Sequence, residues 1–336
     1  MNLTKSICAI DTHTAGQATR IITGGMPVLR GRSVLEKKQY LMDHCDQLRR
    51  LVMHEPRGHA DMFGAVLTEP FDAEAAYGMI FIDGAGCLNM CGHGTIGVAT
   101  ALVETGMVPV TEPYTDLLLE APVGPVHVRV RVENACAKEV SFRNVPAFLY
   151  REDVRVDVDE IGSVPCDIAF GGNFFALVED KALKVGDISP QTIPEIVPKA
   201  LTLMKRLNEQ VAVRHPELPI ESVELVEVFG PPKSAGADCQ NIVVLGHGEV
   251  DRSPCGTGTC AKVAALVAKR QLGLNEDFVH ESVFRTKFTA RAVEKTTVGP
   301  YSAIVPEITG SAFITGFNRL VLDEEDPLQC GFQLQE

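Results

Sequence analysis

Hydrophobic positions along the chain fall into two kinds of run. Short stretches rich in valine, isoleucine, leucine and phenylalanine, bounded by glycine, proline or aspartate, predict strands at residues 77–83, 126–132 and 241–245. Longer stretches with apolar residues at helical spacing predict amphipathic helices at 36–53 and 193–213. Two further helical runs, 96–104 and 261–272, consist largely of small and aliphatic residues. They are closed by Gly106 and Gly273, glycine being favoured just past a helix end. Together these runs predict an α+β chain.

The pattern is written twice. Each small-residue helix follows a Cys-Gly-x-Gly-Thr segment, Cys91-Gly92-His93-Gly94-Thr95 in the first half and Cys255-Gly256-Thr257-Gly258-Thr259 in the second. Upstream, each half begins with a predicted strand and a glycine-bearing turn: residues 6–10 before His13-Thr14-Ala15-Gly16, and 166–170 before Gly171-Gly172-Asn173. Two similar domains explain self-similarity on this scale. An acidic, glycine- and proline-bearing stretch at 160–165 predicts the boundary. The first domain then covers 1–162, carries Cys91 and takes back about 316–336; the second covers 163–315 and carries Cys255.

Composition narrows the function. The chain has 336 residues, 45% hydrophobic and 22% charged, as expected of a globular protein of about two domains. Its net charge of −13 argues against non-specific attraction to nucleic acid or an anionic membrane, so an anionic ligand requires a local positive field. No apolar run reaches the ~18 residues of a membrane span, and the first residues lack the apolar core of a secretory signal. The expectation is a cytoplasmic protein whose ten cysteines are reduced thiols. The spacings of Cys87 with Cys91 and of Cys255 with Cys260 match no zinc pattern. Neither a P-loop lysine nor a G-x-G-x-x-G followed by an acidic residue is present, so no metal and no nucleotide cofactor are expected.

The repeated motif points to chemistry. A thiol at a helix N-terminus sits beside unpaired N–H groups and the positive end of the helix dipole, which favour thiolate. If the helix end contributes up to about 2 kcal/mol, a thiol starting near 8.5 falls to roughly 7, a range suited to proton transfer at neutral pH. The glycines admit a ligand close to the backbone, and the N–H groups of Gly92, His93, Gly256 and Thr257 form an anion site that suits a carboxylate. Two such cysteines place a base on one face of an α-carbon and an acid on the other, and proton removal and return from opposite faces invert the centre. Two competing readings are a cysteine hydrolase, with His93 or His247 as partner, and a non-catalytic amino-acid binding module. Both leave the duplicated thiol unexplained.

The chain resembles the proline racemase and hydroxyproline epimerase family essentially end to end. The resemblance is carried by Asp11-Thr12-His13-Thr14-Ala15-Gly16, Glu55-Pro56-Arg57-Gly58-His59-Ala60-Asp61-Met62-Phe63-Gly64, Met90-Cys91-Gly92-His93-Gly94-Thr95-Ile96-Gly97, Phe170-Gly171-Gly172-Asn173-Phe174-Phe175 and Asp251-Arg252-Ser253-Pro254-Cys255-Gly256-Thr257-Gly258-Thr259. It implies a diaminopimelate-epimerase-like fold of two pseudo-symmetric domains with the site in the cleft between them. It also implies a pyridoxal-free homodimer with Cys91 and Cys255 as acid and base. By the same resemblance, backbone groups at Gly92, His93, Gly256 and Thr257 meet the substrate carboxylate, and His93 with Asp251 meets its amine. The related 3-hydroxyproline dehydratases carry threonine at the position of Cys255, which disfavours dehydration. Phe63 is expected to pack on a pyrrolidine ring, as in proline racemases. Leu245 stands where those enzymes have phenylalanine, which widens the pocket towards a ring hydroxyl. Proline is the first expectation and 4-hydroxyproline the second.

Other residues have plainer readings. Asp251 also fits a turn or capping aspartate, Cys260 a packing residue on its helix, and His13 and His59 structural hydrogen-bonding residues in turns. The acidic run at 323–326 reads as a solvated turn.

Overall fold

Strands form where side chains alternate between a core and a polar environment, and the register of their pairing follows from that alternation. The computed structural model describes residues 3–334, and the chain divides into two units, Met1–Phe142 with Ser311–Glu336, and Arg143–Gly310. The first unit contains, in order, β1 (Leu3–Thr14), β2 (Gln17–Gly24), α1 (Val34–Met53), β3 (Phe63–Thr68), β4 (Tyr77–Ile82), β5 (Cys87–Leu88), α2 (Gly92–Glu104), β6 (Tyr114–Ala121), β7 (Gly124–Glu133) and β8 (Cys136–Arg143). The second contains β9 (Ala147–Val158), β10 (Gly162–Phe170), β11 (Phe174–Glu179), α3 (Ile193–Gln210), β12 (Leu225–Gly230), β13 (Cys239–Leu245), β14 (Val250–Asp251), α4 (Gly256–Ala268), β15 (Phe278–Glu281), β16 (Lys287–Val298) and β17 (Tyr301–Gly310). The chain then returns to the first unit as β18 (Ala312–Asp323).

The repeat extends to strand pairing. In the first unit β1 is antiparallel to β2, β2 parallel to β3, β3 antiparallel to β4, and β4 antiparallel to β5 and parallel to β6. In the second, β10, β11, β12, β13, β14 and β15 repeat those directions in the same order. The outer strands match as well, β18 lying antiparallel to β1 and β9 antiparallel to β10.

Each unit has an amphipathic helix and a buried one. The apolar stripe of α1, including Leu41, Cys45, Leu48 and Val52, packs on Ile7, Ile22, Val66 and Ile80. Its start is fixed by Ser33, which accepts the Glu36 N–H at 3.1 Å, while Glu36 accepts the Arg32 N–H at 2.8 Å. In the second unit α3 packs Ile196, Ala200, Leu203 and Leu207 on Val226, Val228, Ile242 and Val244. Each such aliphatic side chain taken from water contributes roughly 1.5–3 kcal/mol. Helices α2 and α4 are buried nearly all round, which is why their sequences show no polar face.

Three expectations shift. The helix expected at 193–213 ends at Gln210, because Val211 turns extended while its N–H caps the Leu207 carbonyl. The helix that the second motif opens, expected to run to 272, ends at Ala268. Arg270, at φ +59°, takes the left-handed cap position that Gly106 takes after α2, so Gly273 closes nothing. The stretch at 160–165 is the tip of the β9–β10 hairpin rather than a linker, with Gly162 paired to Val158, and the units divide about twenty residues earlier. A hairpin tip and a linker share glycine and acidic residues, so composition did not separate them.

Candidate active site

Cys91 and Cys255 are the N-cap residues of α2 and α4, and both are buried. The glycines behind them allow each helix to lie flat on its sheet. A Cβ at Gly94 would meet the Phe81 ring at 2.8 Å, and one at Gly258 would meet Glu227 Oε2 at 2.6 Å. In the second unit the glycine turn also presses on the motif: a Cβ at Gly171 would lie 2.2 Å from the Thr257 carbonyl oxygen. The first-turn N–H groups at Gly92, His93, Gly256 and Thr257 belong to the set for which a helix supplies no internal carbonyl.

Around Cys91 the first unit gathers His93 and Phe63. The thiol lies 3.5 Å from both ring nitrogens of His93, whose ring meets Phe63 edge-on at 4.8 Å between centroids. Thr14, from the β1–β2 hairpin, donates to the His93 carbonyl at 2.8 Å. Thr95 donates its backbone N–H and its hydroxyl to the Cys91 carbonyl, at 3.0 and 2.8 Å. Cys91 itself has ordinary extended backbone, φ −146°.

The surroundings of Cys255 differ. Its φ is +60°, a left-handed conformation that costs a non-glycine residue on the order of 1–3 kcal/mol and persists only where neighbours over-determine it. The Cys255 N–H donates to Ser253 Oγ at 3.1 Å, and Ser253 donates both N–H and hydroxyl to Asp251 Oδ1 at 2.8 Å. Sγ accepts the Gly258 N–H at 3.4 Å and lies 3.6 Å from Thr257 Oγ1. Asp251 therefore anchors this turn through Oδ1. It is buried on β14 opposite Val243, and Val243 packs with Cys255. Leu245 lies further along β13, on the same face, opposite Leu225 and buried.

The helix-end argument for a depressed thiol does not hold at Cys255. Burial pushes this thiol well above the ordinary range and Asp251 adds to it, against the pull of the Gly258 N–H and the Thr257 hydroxyl; Glu227 raises it further. Full burial shifts a group by up to 3–5 units, more than the roughly 1.5 units a helix terminus supplies. Cys260 is a packing residue, fully buried against Asn144 Nδ2 at 3.2 Å with its thiol pushed up to about 12. His13 stacks on Phe313 and accepts the Gly16 N–H. His247 lies 3.1 Å from Glu249. The acidic run at 323–326 is a turn, but not merely a solvated one, because Asp326 pairs with Arg57 at 3.3 Å.

Sequence reasoning missed Ser253, Glu227, Lys262 and His280. The Asp-x-Ser spacing is a turn signal that could have found the first. A charged residue in the middle of the apolar run Leu225-Val226-Glu227-Val228-Phe229 could have flagged the second.

Comparison with known proteins gives a consistent result. A family profile described as proline racemase matches residues 9–333. The chain is 52% identical over 336 residues to the proline racemase of Clostridioides difficile, covering 100% of both chains. It is 44% identical to a 4-hydroxyproline 2-epimerase of Streptosporangium roseum, covering 97% of this chain and 98% of that one. A crystal structure of a hydroxyproline epimerase from Agrobacterium vitis with bound trans-4-hydroxy-L-proline superposes with a TM-score of 0.92 at 30% identity, over 99% of this chain and 96% of that one.

Proposed function

The chain belongs to the proline racemase family and is an isomerase, and on that premise we propose that it inverts the α-carbon of proline without a cofactor, using Cys91 and Cys255 as acid and base. The observation that carries this reading is the placement of each cysteine at the N-cap of the buried helix, at the same position of a fold repeated in both units. The substrate carboxylate takes the first-turn N–H groups of Gly92, His93, Gly256 and Thr257, and the ammonium takes Asp251 and His93. One thiolate removes the α-proton; the electron pair moves into the carboxylate as enolate-like charge, which the helix N-termini stabilise. The other thiol returns a proton to the opposite face, so one proton is taken and one given. A thiol raised by burial is a stronger base once ionised, which suits a weakly acidic C–H bond.

Phe63 packs on the substrate ring, and proline ranks ahead of 4-hydroxyproline on the higher identity to the proline racemase. Leu245 is the residue that admits the hydroxylated ring. Leu245→Phe should raise KM for trans-4-hydroxy-L-proline several-fold more than for L-proline; equal effects would remove Leu245 from the pocket. A homodimer working in the cytoplasm completes the proposal. It is supported by the family resemblance and by ten free cysteines, and light scattering tests the assembly. The deciding experiment incubates L-proline and trans-4-hydroxy-L-proline separately in D₂O and follows optical rotation and α-deuterium incorporation. Absence of both with either substrate would end this reading.

A further inference from the structure

The two cysteine-capped helices lie on sheets of matching register, yet the residues beneath them differ in kind. Ala65 faces Phe81 and Leu67 faces Met79 across β3 and β4; at the matching positions Glu227 faces Val243 and Phe229 faces Asn241 across β12 and β13. Seven residues after the cysteine stands Val98 in α2 and Lys262 in α4. Leu119 of β6 pairs with Tyr77 as His280 of β15 pairs with Cys239. The first unit thus has apolar side chains where the second buries a carboxyl, an amide, an amine and an imidazole. Apolar groups fill the same architecture at lower desolvation cost, so the polar set requires a reason beyond packing.

These groups converge on Cys255 by two routes. Glu227 Oε2 occupies the space left by the missing side chain of Gly258, whose N–H donates to the Cys255 thiol. Glu227 Oε1 faces His280 Nε2 at 3.7 Å, and His280 Nδ1 lies 3.0 Å from Thr259 Oγ1 and 3.4 Å from Asn241 Nδ2. Thr259 and Asn241 both donate to the carbonyl of Pro254, at 3.1 and 2.8 Å, so the peptide entering the left-handed Cys255 is clamped from two sides. Lys262 caps the cluster with its amine 3.0 Å from the centre of the Phe229 ring.

We propose that Glu227, His280 and Lys262 form a buried positioning unit for Cys255, setting both the geometry of its cap and how readily its thiol gives up a proton. This rests on the two-thiol reading for its role in turnover. Facing Glu227 are Lys262 on α4, His280 on β15, Cys239 and Asn241 on β13 and the Cys255 thiol, with Asp251 near Cys255, Asp180 near Cys239, and Asp167 and Lys269 near Lys262. Burial pushes the Glu227 carboxyl up to about 8 against the pull of Lys262 and Asn241. Burial, followed by the charge of Lys262, holds His280 neutral. An ionised Glu227 therefore makes the Cys255 thiol harder to ionise, and the two groups titrate as interacting neighbours.

The test reads the Cys255 thiol directly. The rate of iodoacetamide labelling at Cys255 is followed against pH by fragment-ion mass spectrometry in the Cys91→Ser background. With Glu227 in place the labelling curve should be broader than that of a single group. Glu227→Gln should sharpen it to single-group form and lower its midpoint by about one unit, a tenfold gain in labelling rate at a fixed pH below the midpoint. Glu227→Asp, which keeps the charge, should leave the midpoint high. A single-group curve with Glu227 present, or an unmoved midpoint in a folded Glu227→Gln protein, overturns the proposal; if that variant does not fold, the breadth of the curve with Glu227 present decides alone. Labelling needs no turnover, so this result stands or falls separately from the loss of inversion in Cys91→Ser or Cys255→Ser.

Discussion

Helices α2 and α4 begin with the same five-residue pattern and cover sheets of the same connectivity, but Ala65, Met79, Val98 and Leu119 of the first unit stand where the second buries Glu227, Asn241, Lys262 and His280. The difference shows what each feature of the repeat controls. Small residues in the helix and glycine three positions after the cysteine are required by close approach, because a Cβ at Gly94 or Gly258 would collide with the layer below whatever its polarity. The polarity of that layer is free to vary, and it has varied only behind Cys255, the thiol whose backbone is strained and whose cap is held by Ser253 and Asp251. The same fold therefore supports two thiols in unlike settings.

Four measurements would break or sharpen this contrast. The largest effect is expected from the thiols themselves: Cys91→Ser and Cys255→Ser should each lower inversion by roughly 10²–10⁴-fold, the range for a positioned acid or base. Optical rotation would reveal whether either variant keeps near-normal activity, in which case the pairing of the two sites is wrong. Next, Phe81→Ala removes the ring that fills the layer under α2 and should cost about 3–5 kcal/mol, seen as a lower urea midpoint. A cost near zero would mean that the layer behind Cys91 is not tightly packed.

Ser253→Ala removes the acceptor of the Cys255 N–H and should destabilise the protein by about 1–3 kcal/mol. Asn89, two residues before Cys91, accepts from Lys38 instead, and Asn89→Ala should cost about 1 kcal/mol or less. Equal losses in thermal melts would show that the two caps are held alike.

The fourth measurement is a pH dependence. Glu227 titrates at about 8 in the fold, above the roughly 4.3 of an exposed glutamate. A raised value means the folded state holds the proton more tightly, so this group's stabilisation is complete below about 4.3 and is lost as pH rises through about 8. Glu227→Gln lacks that loss. Its stability relative to the parent protein should therefore be higher at pH 9 than at pH 5, and a constant difference in urea unfolding at the two pH values would place the buried charge elsewhere.

Much of the site was legible along the chain because its elements are local. Cysteine, two glycines and a helix of small residues are adjacent in sequence, and their repetition announces two related units. The ends of elements were less legible. Gly273 looked like the cap of α4, yet Arg270 occupies the left-handed position, since tertiary contacts around the helix decided where it stops. The expected fall in the Cys255 pKa failed for a related reason: a helix terminus can be read from sequence, whereas burial depends on what packs over it.

By itself the sequence determined the α+β class, the duplication, the two cysteine caps and their family, because each is encoded in neighbouring residues or in a repeated pattern. Only the tertiary structure decided that Glu227, Lys262 and His280 meet behind Cys255. They come from a strand, a helix and another strand, and nothing in their spacing links them. Sheet register and the glycine gap at position 258 bring them together, and desolvation on burial, which no linear pattern records, sets their protonation.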